Sequence, residues 1–377
     1  WRQLKHDKAR QSASPAADSY AVILMFMQLG ILGALYETSV LLHRSLRADI
    51  IILGSEARDL NNLSTFPRRR LYQAMAVGGV ESADALYIGA VNWKHPRTRE
   101  ETAMMVVGAK PDRPAFDLPE ISGNLHLVKL PDTFLFDRIS RGDYQEVVSR
   151  VENGERVATE INRRAATIGG LFSMGASFNY DGILITGEQN FLRLFPARQP
   201  GSVSIGLVSV SSGANARQVS ADLRKRLPAD VRVMTKQEFI EFEQDYMSSS
   251  TPIGFIFGLG TIIGFAIGMM IVYQVLSTDV NNHLAENATF KAMGFTDRYL
   301  LSVIFEESFI LAALGFVPGW LASLGLYQLI RFAAALPLSM PSARVFIVFT
   351  LTLAMCAVSG AIATRRLRQA DPADIFR

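Results

Sequence analysis

Residues 253–276 read IGFIFGLGTIIGFAIGMMIVYQVL, and this stretch decides the fold class. It contains no Asp, Glu, Lys or Arg. A helix needs about 20 such residues to cross the ~30 Å hydrocarbon core of a bilayer. Working outward, three more apolar runs are found, Ala21–Tyr36, Leu300–Ile330 and Val345–Ala363. One run precedes a long, mostly polar segment at 45–245 and three follow it. This uneven layout predicts an α-helical membrane bundle of four transmembrane helices (1+3) carrying a large α+β extracytoplasmic domain. Hydrophobic residues make up 49% of the chain, a middle value that fits a part-membrane, part-globular protein.

The charges set a topology. The N-terminal tail carries Arg2, Lys5, Lys8 and Arg10, and the C-terminal tail Arg365, Arg366, Arg368 and Arg377. Lys291 and Arg298 lie between the second and third runs, with Arg331 and Arg344 flanking the gap between the last two. By the positive-inside rule, both tails and the 278–299 segment face the cytoplasm. The expected location is a bacterial inner membrane, with the large domain periplasmic. Net charge is +3, too small and too spread out to imply a nucleic-acid partner. The single cysteine, Cys356, lies in the last run, so no intrachain disulfide is available.

Boundaries follow from the same reading. Residues 1–15 form a cytoplasmic tail. Ser14 and Pro15 are suited to start a helix, as cap and first helical residue, so 16–44 is span one plus a stalk. The outer domain is 45–245, and 246–277 is a second stalk plus span two. Residues 278–299 form a cytoplasmic segment, 300–332 span three, 333–344 a short outer loop, 345–364 span four and 365–377 a cytoplasmic tail. No small-residue cleavage site follows the first run, which therefore reads as a retained span rather than a signal peptide.

Inside the outer domain, 48–53 (ADIIIL) and 203–210 (VSIGLVSV) read as strands. Pro67 opens a helix, PRRRLYQAMAV, stopped at Gly78-Gly79, and 83–92 returns as a strand. Val219, Leu223 and Leu227 fall one turn apart on a helix, and Val231 and Val233 alternate as a strand. The expectation is two βαβ-like half-units, with a small β-rich subdomain from 97–200 between them. Thr235 and Glu238 have capping-box spacing. The helix they start is expected to bury Phe239, Phe242 and Tyr246.

Catalytic patterns are missing from the sequence. The five histidines (6, 43, 95, 126 and 283) have no ligand spacing, and no HExxH, GxSxG or Gly-Lys step occurs. The chain is expected to be no enzyme, with no catalytic residue, cofactor or metal of its own. Glu306 and Glu307 read as an interfacial pair; a proton relay lacks acidic partners in the other runs. Gly254, Gly258, Gly260, Gly264 and Gly268 step along span two, and Gly315 and Gly319 along span three. Small residues at this spacing let membrane helices approach closely, within the bundle or between two copies. The amphipathic segment HLAENATFKAMGFTDRY (283–299) combines apolar Phe290, Met293 and Phe295 with Glu286, Lys291 and Asp297, and Gly294 is suited to end its helix. Either a protein docks there or the helix lies on the lipid surface.

Several stretches resemble the permeases of ABC transporters in the MacB/FtsX superfamily, and most of all the DevC type. They are ADIIIL (48–53), FPRRRLYQA (66–74), GGLFSMGASFNYDGILITGEQNFLRLFPAR (169–198), ENATFKAMGF (286–295) and ADPADIFR (370–377). The resemblance departs at Gln11–Tyr20, which is polar where the family is apolar. It implies that Glu286, Thr289, Phe290, Lys291, Ala292, Met293, Gly294 and Phe295 contact a separate ATPase subunit, present in two copies that bind the ATP and Mg. It further implies a second copy of the chain, a membrane-fusion adaptor protein, an outer-membrane duct, and mechanotransmission that exports a lipid, glycolipid or other cargo. The alternative is an FtsX-like regulator of a cell-wall hydrolase.

Overall fold

The computed structural model describes residues 8–177, 179–199, 201–282, 297–334 and 336–369. The chain forms two units, Leu35–Thr251 on one hand and Trp1–Ala34 with Pro252–Arg377 on the other. Among the described residues, four helices are long and apolar enough to cross a membrane: Asp18–Ser39, Pro252–Thr278, Ala312–Ala333 and Ser342–Ala363. The fold class is therefore four membrane helices with a large α/β domain inserted after the first.

The α/β unit follows the long helix α1 (Lys8–Ser39) and the short helix α2 (Leu41–Ser45). Its first β–α–β unit is β1 (Ile50–Gly54), β2 (Phe66–Pro67), α3 (Arg69–Met75) and β3 (Val80–Lys94). The middle contains β4 (Glu101–Ala109), α4 (Pro119–Gly123), α5 (Leu125–Val128), β5 (Thr133–Asp137), α6 (Gln145–Glu152), β6 (Val157–Ile161), β7 (Arg164–Phe172), β8 (Gly182–Gly187) and α7 (Glu188–Leu194). The second β–α–β unit is β9 (Ser202–Val203), β10 (Ile205–Val210), α8 (Ala216–Arg226) and β11 (Val231–Thr235), and α9 (Lys236–Ser249) closes the unit.

Nine strands form one sheet in the order β11-β1-β10-β3-β4-β8-β5-β7-β6. The two β–α–β units thus interleave: β1 pairs antiparallel with both β10 and β11. The middle strands are not a separate sheet, because β3 is long enough to serve both regions. Its first half pairs with β10 and its second half with β4. Its last residues, Trp93 and Lys94, also pair with Ile161 and Glu160 of β6, so the far strands curl back onto β3. Side-chain alternation explains the run Ile50–Leu53: Ile50 and Ile52 enter one core, Ile51 and Leu53 the other. A strand covered on both faces must be apolar throughout.

The membrane unit adds α10 (Pro252–Asn282), α11 (Asp297–Ala334) and α12 (Ser342–Gln369). Packing inside it is uneven. In its most apolar stretch, span one is 44% buried and span two 17%.

Candidate functional site

Span one is held between two small-residue faces. Along one side, Asp18, Val22 and Phe26 of α1 meet Gly315, Gly319 and Tyr327 of α11 in rising order. The two helices therefore run parallel. The Ser19 hydroxyl donates to the Gly315 carbonyl at 2.9 Å, and the Tyr327 hydroxyl to the Phe26 carbonyl at 2.5 Å. A Cβ on Gly319 would come within 2.8 Å of Val22 and 2.9 Å of the Ser19 carbonyl. Phe26 packs on Phe316, and Phe316 on Phe349 of α12.

On the other side the order reverses. Gly260 of α10 faces Gln28, Gly264 faces Leu24 and Met25, and Gly268 faces Ala21 and Met355. α10 is thus antiparallel to α1. Parallel first and third spans with an antiparallel second are what successive membrane crossings require. Gly258 differs, with nothing within 4 Å of a Cβ built on it. Phe255, Ile256, Leu259, Ile262 and Ile263 are exposed along α10, and Gly254 is half-buried. The glycine series is therefore split, its last three members turned to span one and Gly258 outward. The coupling residues Glu286, Thr289, Phe290, Lys291, Ala292, Met293, Gly294 and Phe295 lie outside the described residues.

In the α/β unit, α2 and α9 are joined by a buried pair. His43 is fully buried, with Nε2 3.4 Å from Oε2 of the buried Glu243. That carboxylate also accepts the Leu60 amide at 2.9 Å. The Phe239 ring lies 4.2 Å from the imidazole. In sequence, α2 and α9 lead into spans one and two, so this clamp ties both chain connections of the unit together. It also shifts the expected face of α9: Phe239, Glu243 and Met247 are buried, with Phe242 and Tyr246 only partly so. A glutamate inside that stripe is invisible to a hydropathy pattern. The capping box at Thr235 and Glu238 is formed. Burial pushes the Glu238 carboxyl up, but the Thr235 amide and Arg224 outweigh it and hold it below the usual glutamate range.

The longest resembling stretch, 169–198, does structural work. Asp137, buried at the end of β5, accepts the amides of Met174 (3.1 Å), Gly175 (2.6 Å) and Ile139 (3.2 Å). Burial raises its pKa although these donors pull the other way. The loop so held places Met174 against Ser45 of α2. Asn190 of α7 gathers the carbonyls of Val128 and Leu130 and the Asp132 amide. Arg198 lies over the rings of Tyr87 and Phe191 and donates to the Ile88 carbonyl at 3.0 Å; burial lowers its pKa. In FPRRRLYQA, Arg70 grips Asp230 at 2.8 Å and Arg68 grips Glu188 at 3.1 Å. Among the described residues, no three His, Cys, Asp or Glu gather as a metal site. The geometry offers rigid links between elements distant in sequence.

Residues 251–372 match the family described as FtsX-like permease C-terminal. The C-terminal third of the chain therefore resembles the C-terminal part of FtsX-like permeases. The matched region spans α10, α11, α12 and the segments between them. Among solved structures, the extracellular domain of the ABC-type transporter YknZ from Gram-positive bacteria is similar at 12% identity. That match covers 50% of this chain and 98% of that one, with a TM-score of 0.34. The periplasmic region of MacB from Actinobacillus actinomycetemcomitans is similar at 9% identity, covering 52% and 92%, with a TM-score of 0.33. No curated protein matches the chain in sequence.

Proposed function

We propose that this permease transmits force from a separate ATPase to its α/β domain to drive export. The observation that carries this reading is the family match at 251–372, which includes the segment Glu286–Phe295 between spans two and three. Two copies of the ATPase bind that segment on two copies of the permease. Nucleotide binding draws the segments together and moves spans two and three. Span one, packed between their small-residue faces, moves with them. The chain enters the α/β domain at Ala34/Leu35 and leaves it at Thr251/Pro252. The His43–Glu243 clamp makes both connections move as one.

In this reading the termini are cytoplasmic and the domain is periplasmic, in a bacterial inner membrane. It works with a membrane-fusion adaptor and an outer-membrane duct, and the cargo is a lipid, a glycolipid or another molecule. The test is reconstitution of the full-length permease with the ATPase that copurifies with it. Phe290→Asp and Met293→Asp should abolish complex formation and permease-stimulated ATP hydrolysis. Unchanged assembly and transport in both variants would overturn the reading.

A further inference from the structure

The apolar run of span one begins at Ala21, but the packed part of the helix begins earlier and includes a carboxylate. Asp18 is 1% exposed. It lies against Gly315 of α11, where any side chain would collide with it. Its Oδ2 has no hydrogen-bond partner, and no described Lys, Arg or His pairs with it. Among the described side chains, the neighbouring elements bring no counter-charge to it. α12 brings the thiol of Cys356, which packs in the same core as Ala21. α10 packs near Ala21 with Val272, Leu276 and the phenol of Tyr273, and residues 252–278 include no charged residue. Glu306 is exposed, more than two turns earlier on α11. An ionised carboxylate so placed would stand unpaired and desolvated, a state that packed membrane helices avoid.

We propose that Asp18 is a proton-binding site within the bundle. It is occupied while spans one and three are packed at Gly315 and emptied when they part. In the packed state Oδ2 holds the proton as a neutral carboxyl. When the helices separate, water enters, the O–H bond breaks and the proton leaves to water. Repacking takes a proton back from water, so each cycle binds and releases one with no net chemistry. The site is a property of the packed helices and stands or falls independently of the export reading.

Infrared spectroscopy of the full-length protein in nanodiscs, with isotope-labelled aspartate, tests the assignment. At neutral pH the wild type should give a protonated-carboxyl band that Asp18→Asn removes. Asp18→Ser provides the same subtraction if the asparagine variant fails to fold. Asp59→Asn and Asp137→Asn identify the bands of the other buried aspartates among the described residues. Gly315→Ala, which pushes α11 off Asp18, should weaken the Asp18 band and make it vanish at lower pH than in the wild type. A wild-type spectrum unchanged by removal of Asp18 would overturn the proposal. So would a band indifferent to Gly315→Ala.

Discussion

In the α/β unit, the buried polar groups bridge elements distant in sequence. Asn190 ties α7 to the 128–132 segment, Asp137 ties β5 to the 173–175 loop, and Glu243 ties α9 to Leu60 and His43. In the membrane unit, buried hydroxyls bond either to a backbone carbonyl of a neighbouring helix, as Ser19, Tyr327 and Ser359 do, or one turn back on their own helix. Ser323 donates to Gly319 and Thr352 to Val348. The surfaces differ as well. Among the described residues, Tyr72, Met75 and Ile139 are the exposed large apolar side chains of residues 35–251. The membrane helices expose many, Phe255, Met270, Leu321, Phe332 and Phe346 among them. The difference reflects the solvent. Water drives apolar side chains inward and lets polar networks specify how they pack. Lipid gives no such drive, so helices associate through close backbone approach at small residues. The α/β unit should therefore be most sensitive to losing a polar partner, and the bundle to gaining a methyl group.

The largest effect is expected at the clamp. Glu243→Ala leaves the Leu60 amide buried without its acceptor and removes the carboxylate beside His43, and should cost about 3 kcal/mol. Thermal unfolding of the full-length protein in detergent reads the loss; a shift no larger than that of a surface variant would remove the clamp from the account. Next is Gly319→Ala, whose Cβ meets Val22 and the Ser19 backbone. It should cost about 1–3 kcal/mol and weaken a disulfide cross-link engineered between spans one and three.

A smaller effect is local. Thr235→Ala removes the cap of α9 and should cost about 1 kcal/mol. Its pH dependence follows from Glu238. Because the folded carboxyl is held below the usual range, its stabilisation is present above pH 4.5 and lost as pH falls through the lowered value. Glu238→Gln should flatten that acid limb in unfolding titrations, and an unaltered limb would refute the assignment. The smallest effect sharpens the contrast. Gly258→Ala enters open space and should change stability by less than about 0.5 kcal/mol. A cost equal to that of Gly319→Ala would mean that this face of span two is packed against something.

Much of this protein is legible in its sequence where the signal is local. The capping box needs only Thr235 and Glu238. The four-residue spacing of the glycines marks them as packing residues, but spacing cannot name a neighbour. Gly264 and Gly268 meet residues more than 200 positions earlier, and Gly258, in the same series, meets nothing. The stripe expected on α9 missed Glu243 for the same reason. A charged side chain is buried only when a distant partner accepts it, and His43 is 200 positions away. Asp18 was hidden because it sits just outside the apolar run, on a turn that hydropathy assigns to water.

The sequence by itself determined the four spans and the insertion of one large domain. A bilayer imposes length and apolarity on each helix independently, because every backbone group in lipid must be satisfied within it. It also determined most strands of the α/β domain, through apolar runs and alternation. Only the tertiary structure decided that the two β–α–β units interleave, that β3 joins them to the middle strands, and that span one lies between two glycine-lined helices. It alone decided where His43, Glu243 and Asp18 are buried. Those outcomes depend on which distant surfaces meet, and burial of a charge is a property of the meeting rather than of the residue.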